Sequence, residues 1–328
     1  MALRKMLFPD ACHLLMLAAL APQVATAQDY PIKPIRIVVP NPPGGVDLSI
    51  RLLAPKMQED LGQTVFIENR AGANGNIGAE HIARSAPDGY SLLYTTASTL
   101  VTGPLLVKAT PFDPTRDFTP IGTVMATVSV LTVHPSLPVQ TVKDLIDHAR
   151  KFPGKLTYAH SGAGSLQHLD GEMMKIAFGN TDILAVPFKG FAQIMPELLT
   201  GRVDIGVAPL FLIKPQAASG KLRILAVYSQ AKRYPGLPNT PTVAETVPAF
   251  DRLPSWFALV GPAGMARPVV MRIHGAVQKA LSHPEIRAKF DDEGSVALPS
   301  TPEELGAMLR NDRDRTAQVF KALKIEAE

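Results

Sequence analysis

The sequence predicts an α/β protein whose open, mostly parallel sheets carry helices on both faces. Three observations lead there. Apolar runs such as Ile35–Val39 are continuous rather than alternating, as expected of parallel strands covered on both faces. Strand, loop and helix patterns follow one another three times within the first hundred residues. The loops at the strands' carboxyl ends are polar, and ligands of open α/β sheets bind outside those ends.

The chain opens on a targeting pattern. Arg4 and Lys5 form a basic start, 11–21 is apolar, and Ala25-Thr26-Ala27 is a small-x-small cleavage site, so residues 1–27 read as an export signal cut after Ala27. The apolar part falls short of the roughly 20 residues that a membrane span needs. The single cysteine, Cys12, lies inside it, so the remainder can form neither a disulfide nor a thiolate metal site. Net charge is +4 for the whole chain. Loss of Arg4, Lys5 and Asp10 lowers it by one, and no Lys/Arg block is present, which argues against a nucleic-acid partner. The remaining length, about 300 residues, suggests two domains.

Strand Ile35–Val39 stops at Pro40-Asn-Pro-Pro-Gly-Gly45. A helix follows with Ile50, Leu53, Met57 and Leu61 on one face. Asp47 at its start reads as a first-turn acid, an N-cap or a ligand contact. Residues 62–68 return as a strand, a Gly/Asn loop leads to a short helix over 78–85, and 90–95 is a third strand ending at Thr96-Ala-Ser98-Thr. The β-rich run 121–133 predicts two strands, or one that crosses between lobes. Thr141-Val-Lys-Asp144 resembles a capping box and opens a helix to about Lys151.

A strand over 155–159 then feeds a turn at Ser161-Gly-Ala-Gly164. Ser165 caps a helix whose apolar positions include Leu166, Leu169, Met173 and Ile176. Amides at such a helix start lack helical partners, and glycines let a ligand approach the backbone; the turn therefore suits a carboxylate or phosphate. An ordinary capped connection reads equally well from this segment alone. Further on come a strand over 183–187 ending at Phe188-Lys-Gly190, a helix over 193–200, strands over 203–208 and 221–228, and a Pro-rich stretch from Tyr234 to Pro248. The strand 255–260, a helix over 268–281 and a last helix opened by the capping box Thr301-Pro-Glu-Glu304 complete the chain.

Catalytic and cofactor patterns are missing. Ala159 stands where a Gly-x-Ser-x-Gly elbow around Ser161 needs glycine, and Gln167 stands where a dinucleotide loop needs its third glycine. The histidines show no metal spacing; His160 and His168 are merely near the turn. His168 reads as packing within its helix, Trp256 as core or inter-lobe packing, and Lys189 as a surface ion pair or a cleft residue.

Longer stretches carry a resemblance. Tyr30-Pro-Ile-Lys-Pro-Ile-Arg-Ile-Val-Val-Pro40 with Pro-Pro-Gly-Gly, Glu68-Asn-Arg-Ala-Gly-Ala-Asn-Gly-Asn-Ile-Gly-Ala-Glu80, Ala86-Pro-Asp-Gly-Tyr-Ser-Leu-Leu93 and Gly220-Lys-Leu-Arg-Ile-Leu-Ala226 stand in order. With Pro241-Thr-Val-Ala-Glu245 and Gly261-Pro-Ala-Gly264, the chain resembles the Bug-type solute-binding proteins of tripartite tricarboxylate transporters over nearly all its exported length. The resemblance implies a monomeric periplasmic binding protein of the type II fold, with no cofactor. Lobe 1 would comprise 28–127 plus 252–328 and lobe 2 would comprise 128–251, closing on a small organic carboxylate for delivery to membrane permease subunits. By position it implies a first ligand loop at Gly44, Gly45, Val46 and Asp47, and a second at Thr96 and Ser98. It implies a carboxylate cradle at Ser161, Gly162, Ala163, Gly164 and Ser165 beside His160, and a wall of Lys189, Gly190, Ala208 and Pro209. The alternatives are a receptor feeding a sensor kinase, or a periplasmic hydrolase.

The chain departs from the family pattern in four places. Its first loop is one residue short, with Val46 in place of a hydroxyl residue. His160 stands for Ser, Phe188 for Tyr, and Ala208 for Asp. These changes imply a less polar cleft, and a missing acid at 208 would disfavour an amino-acid ligand.

Overall fold

The computed structural model describes residues 30–323, 325 and 327, except Gly45, Ala163, Gly164, 229–232, Ala249 and Asp251. The predicted leader, Cys12 and the cleavage point after Ala27 lie outside the described residues, as do Gly45, Ala163 and Gly164.

The continuous apolar run is strand β1 (Ile35–Val39), and its two faces serve two cores. Ile35, Ile37 and Val39 pack with Ile50, Leu53 and Met57 of helix α1 (Val46–Leu61), whereas Val38 joins Ile82, Leu305 and Leu309 on the opposite face. Successive strand side chains point to opposite faces, so a run apolar at every position is the signature of a doubly covered strand. Each fully buried Ile or Leu contributes about 1.5–3 kcal/mol.

Strand β1 lies parallel to β2 (Val65–Asn69) on one side and to β3 (Ser91–Thr96) on the other. Helix α2 (Asn76–Ala83) precedes β3. A π-helical turn (Ser98–Thr102) and the short helix α3 (Gly103–Leu106) follow it. Strand β4 (Phe118–Thr127) runs to the edge of this lobe, and after Val128 the chain continues as β5 (Ser129–Val133) in the other.

The second sheet holds β5, β6 (Thr157–His160), β7 (Leu184–Pro187), β8 (Ile205–Pro209) and β9 (Arg223–Val227), in the order β7-β6-β8-β5-β9. Its helices are α4 (Val142–Lys151), α5 (Leu166–Ala177), α6 (Phe191–Leu199), α7 (Leu210–Ala218) and α8 (Val243–Thr246). The chain then returns through Arg252–Ser255 to β10 (Trp256–Pro262). Helix α9 (Arg267–Ser282), α10 (Pro284–Asp292), β11 (Ser295–Ala297) and α11 (Pro302–Leu323) finish the first lobe. The first sheet has the order β11-β4-β10-β3-β1-β2.

Both sheets are mixed rather than mostly parallel. β10 is antiparallel to β3 and β4, and β5 is antiparallel to β8 and β9. The cause is the two crossings: a strand that leaves one sheet for the other, or returns from it, need not share the direction set by the βαβ units. Helix α7 was not expected. Its segment starts at Pro209, contains Pro215, and buries only Leu210 and Ile213, a weak pattern for nine residues. Both capping boxes form, Thr141 with Asp144 and Thr301 with Glu304. Among the described residues, no helix is long and apolar enough to cross a membrane.

Helix α5 lies close on β6. A Cβ at Gly171 would stand 2.1 Å from the Tyr158 ring, whose hydroxyl is held by Glu172 at 2.7 Å. Gly171→Ala should therefore destabilise the protein by about 1–3 kcal/mol, read as a lower denaturant midpoint at unchanged slope.

Candidate functional site

The carboxyl ends of β3, β4 and β8 and the first turn of α5 meet the two connecting segments around an inter-lobe cavity of about 140 Å³. That is room for several water-sized groups. Thr96 and Ser98 reach it from the first lobe, Gln167 and Pro209 from the second, and Trp256 and Ser255 from the returning connection. A larger groove, about 630 Å³, runs along the other side of the same connections. The smaller cavity is the better candidate, because it lies at the strand ends where an α/β sheet presents its loops.

Among the described residues, two charged side chains line it, Asp170 and Arg252. Asp170 is 2% exposed and Arg252 8%. Arg252 Nε lies 3.7 Å from Asp170 Oδ1, an ion pair without a hydrogen bond between those atoms. One terminal nitrogen of Arg252 donates to Ser129 Oγ at 2.8 Å. The other donates to the Tyr228 carbonyl and to Ser255 Oγ, both at 3.3 Å. Burial pushes the Asp170 carboxyl up to about 6, and the pull of the guanidinium only partly offsets it.

At the predicted cradle the expected helix cap forms. Ser165 caps α5 by accepting from the His168 amide at 3.2 Å. The amides of Leu166 and Gln167, ahead of it, have no preceding helical carbonyl, a setting that suits an anion. Gly162 has φ +115°, a conformation that L side chains rarely adopt, and no atom stands within 4 Å of its would-be Cβ. Ser161 donates its hydroxyl to Gln167 Oε1 at 2.9 Å, and Gln167 lines the cavity. His160 is buried and stacks on His168 with ring centroids 4.7 Å apart; its Nδ1 has no hydrogen-bond partner among the described residues. Burial and the neighbouring His160 both lower the His168 pKa.

Other predicted residues stand elsewhere. Asp47 is buried but occupied: Oδ1 accepts from the Gly44 amide at 2.7 Å and Oδ2 from Arg51 Nε at 2.8 Å. Arg51 also reaches Asn69, which holds the Asn41 carbonyl. Asp47 thus shapes its loop, and Val46 packs partly against the first core. Lys189 is exposed, with its amide donating to Gln193, and Gly190 precedes α6. Ala208 is 1% exposed in the core against Ile194 and Leu198, while Val207 and Pro209 on the alternate face line the cavity. A side chain at 208 does not face this cavity, so the absence of an acid there does not set its polarity.

The profile of the tripartite tricarboxylate transporter family receptor matches residues 49–325. The chain belongs to that family. This receptor is 33% identical to protein BugT of Bordetella pertussis over 299 residues, 90% of its own length and 91% of that protein's. It is 34% identical to R. palustris Rpa4515, solved with adipate, at a TM-score of 0.75 over 91% of this chain and 100% of that one. Against MatC from Rhodopseudomonas palustris with bound malate the identity is 26% and the TM-score 0.69, over 88% and 99% of the two chains. The two-lobed periplasmic binding-protein fold is shared with these structures.

The charged pair escaped the sequence reading. One signal for Asp170 existed: with Leu166, Leu169 and Met173 it occupies the apolar face of α5, where a carboxylate is out of place. Arg252 had no comparable local signal, because its partners come from residues 129, 170, 228 and 255.

At the first loop, burial raises the Asp47 pKa, but the bonds from Arg51 and the Gly44 amide outweigh it and hold the carboxyl below its usual range. A depressed folded value means the stabilisation is complete above the unfolded value, about 4, and is lost as pH falls through the folded one. Asp47→Ala should cost about 2 kcal/mol at pH 7 and progressively less below pH 4, checked by denaturation across that range.

Proposed function

We propose that this receptor is exported, loses residues 1–27 after Ala27, and binds a small carboxylate between a lobe of 28–127 plus 252–328 and a lobe of 128–251. It then passes the ligand to the membrane permease subunits of a tripartite tricarboxylate transporter. The observation that carries this reading is the inter-lobe cavity, apolar for most of its lining, beside an unobstructed glycine turn at a helix start. Ser161, Gly162 and Ser165, continued by Ala163 and Gly164, hold the ligand's carboxylate. Thr96 and Ser98 face it from the opposite lobe. The bound adipate and malate of the two R. palustris proteins support a carboxylate as the ligand class.

The magnitudes are adequate. A micromolar site needs about −8 kcal/mol. A helix start supplies roughly 0.3–1 kcal/mol to an anion, and each charge-assisted hydrogen bond about 1.5–3 kcal/mol. Apolar burial against Leu166, Val207, Pro209 and Trp256 supplies the rest, which favours a ligand with an apolar body.

Trp256 is the protein's sole tryptophan and lines the cavity. Titration of the purified protein with adipate or malate should change its emission saturably, with a midpoint in the micromolar range. A panel of aliphatic and aromatic carboxylates that gave neither an emission change nor calorimetric heat would refute the reading. Gly162→Leu should abolish the response while the circular dichroism spectrum stays native. Normal binding by that variant would remove the turn from the site.

A further inference from the structure

We infer that a carboxylate ligand enters the inter-lobe cavity together with one proton, and that Asp170 is the group that takes it up. This rests on the carboxylate-receptor reading above and deepens it. The cavity's two charged lining residues, Asp170 and Arg252, cancel each other when both are ionised. The empty site then offers an anion no net charge. A ligand carboxylate in the cavity brings a second anion beside the same buried guanidinium, and two carboxylates sharing one such site do not both stay ionised cheaply.

Arg252 cannot turn away to serve the newcomer, because Ser129, Tyr228 and Ser255 hold its terminal nitrogens. Asp170 cannot turn away either, since it is 2% exposed on the inner face of α5. One of the two carboxylates must therefore be neutralised. The ligand's is held by the amides and hydroxyls of the turn, which favour its ionised form. Among the described residues, Asp170 Oδ1 has no hydrogen bond that would do the same. Solvent supplies the proton, and the Asp170 carboxylate becomes a carboxylic acid; no other bond changes.

The surroundings leave Asp170 as the acceptor. From β9, the Tyr228 hydroxyl donates to the Asp170 carbonyl, not to its side chain. From β6, Tyr158 is bonded to Glu172, which also pairs with Lys175 at 2.9 Å. His168 on the same helix stacks on His160. From α11, Arg315 reaches the Arg252 carbonyl and Asp312 holds Trp256 Nε1 at 2.8 Å. Among the described residues, Arg252 is the charge that acts on the Asp170 carboxyl.

The sign of the pH effect follows. Burial has already raised Asp170 to about 6 in the empty site, and a second anion raises it further. Below that value the empty protein already carries the proton, and binding exchanges none. Above it, binding draws a proton from solution, and Kd rises by up to about tenfold per pH unit.

Calorimetry of the full protein with adipate and with malate, in phosphate and in Tris at pH 7 and pH 5, reads the proton directly. The two buffers differ in ionisation enthalpy, so the difference in heat counts protons. Close to one proton per ligand at pH 7, and far fewer at pH 5, is the expected result. Asp170→Asn, a fixed neutral mimic, should exchange none and at pH 8 should bind about tenfold or more tighter than wild type. Binding with equal heats in both buffers at pH 7, or uptake that persists in Asp170→Asn, would overturn the inference and leave the receptor reading standing. If the variant fails to fold, the wild-type buffer comparison decides alone. If neither those acids nor the wider panel bind at any pH, the receptor reading itself falls and this inference with it.

Discussion

The guanidinium of Arg252 sits where the two lobes are joined, and the arrangement of the cleft depends on it. Ser129 begins the second-lobe strand after the first crossing, Tyr228 follows β9, and Ser255 leads the chain back to β10; one side chain bonds to all three. Its planar fork of donors suits this better than a lysine would, because several acceptors can be held in fixed directions at once. Its charge is balanced by Asp170, but without a hydrogen bond. Nε stands 3.7 Å from Asp170 Oδ1, and neither atom has a hydrogen bond among the described residues. Buried pairs of this kind seldom add much stability against an apolar substitute, whereas removing one partner strands the other at a cost of several kcal/mol. Geometry, more than stability, is what the pair supplies here: it fixes α5 relative to both crossings.

Much of the fold was legible, for a physical reason. Strands covered on both faces must be apolar at every position, so Ile35–Val39 announced its layer architecture in five residues. Helix starts were equally plain where a side chain must satisfy the first amides, as at Thr141, Ser165 and Thr301. Sheet order and strand direction were not, because the crossings that make β10 and β5 antiparallel are decided by contacts between distant segments. Helix α7 was hidden by its two prolines and thin apolar face.

The site divides along the same line. The conformation at Gly162 and the cap at Ser165 were legible because their chemistry is local: glycine at positive φ, then a capping serine. Ala208 was misjudged because facing is set by strand register, and an alternation of one residue separates a cavity wall from a core position. Asp47 shows the opposite difficulty. Its type and place suit a ligand contact, yet Arg51 and the Gly44 amide already use both oxygens.

Helix α5 carries two of these features on one rigid body. Its first turn lines the inter-lobe cavity with Leu166 and Gln167, and Asp170 follows one turn later, about 5.4 Å along the axis. Its other apolar residues, Leu169 and Met173, pack with Phe320 of α11, and Leu105 and Leu106 of α3 join the same cluster. That cluster draws on both lobes, so separating them exposes apolar surface at about 25 cal/mol per Å². A ligand that binds at the start of α5 therefore acts on an element already tied to the first lobe by apolar contact and to both crossings through Arg252. Charge placed at one end of this helix is felt by the carboxyl one turn away, because that carboxyl is buried and poorly screened at so short a distance.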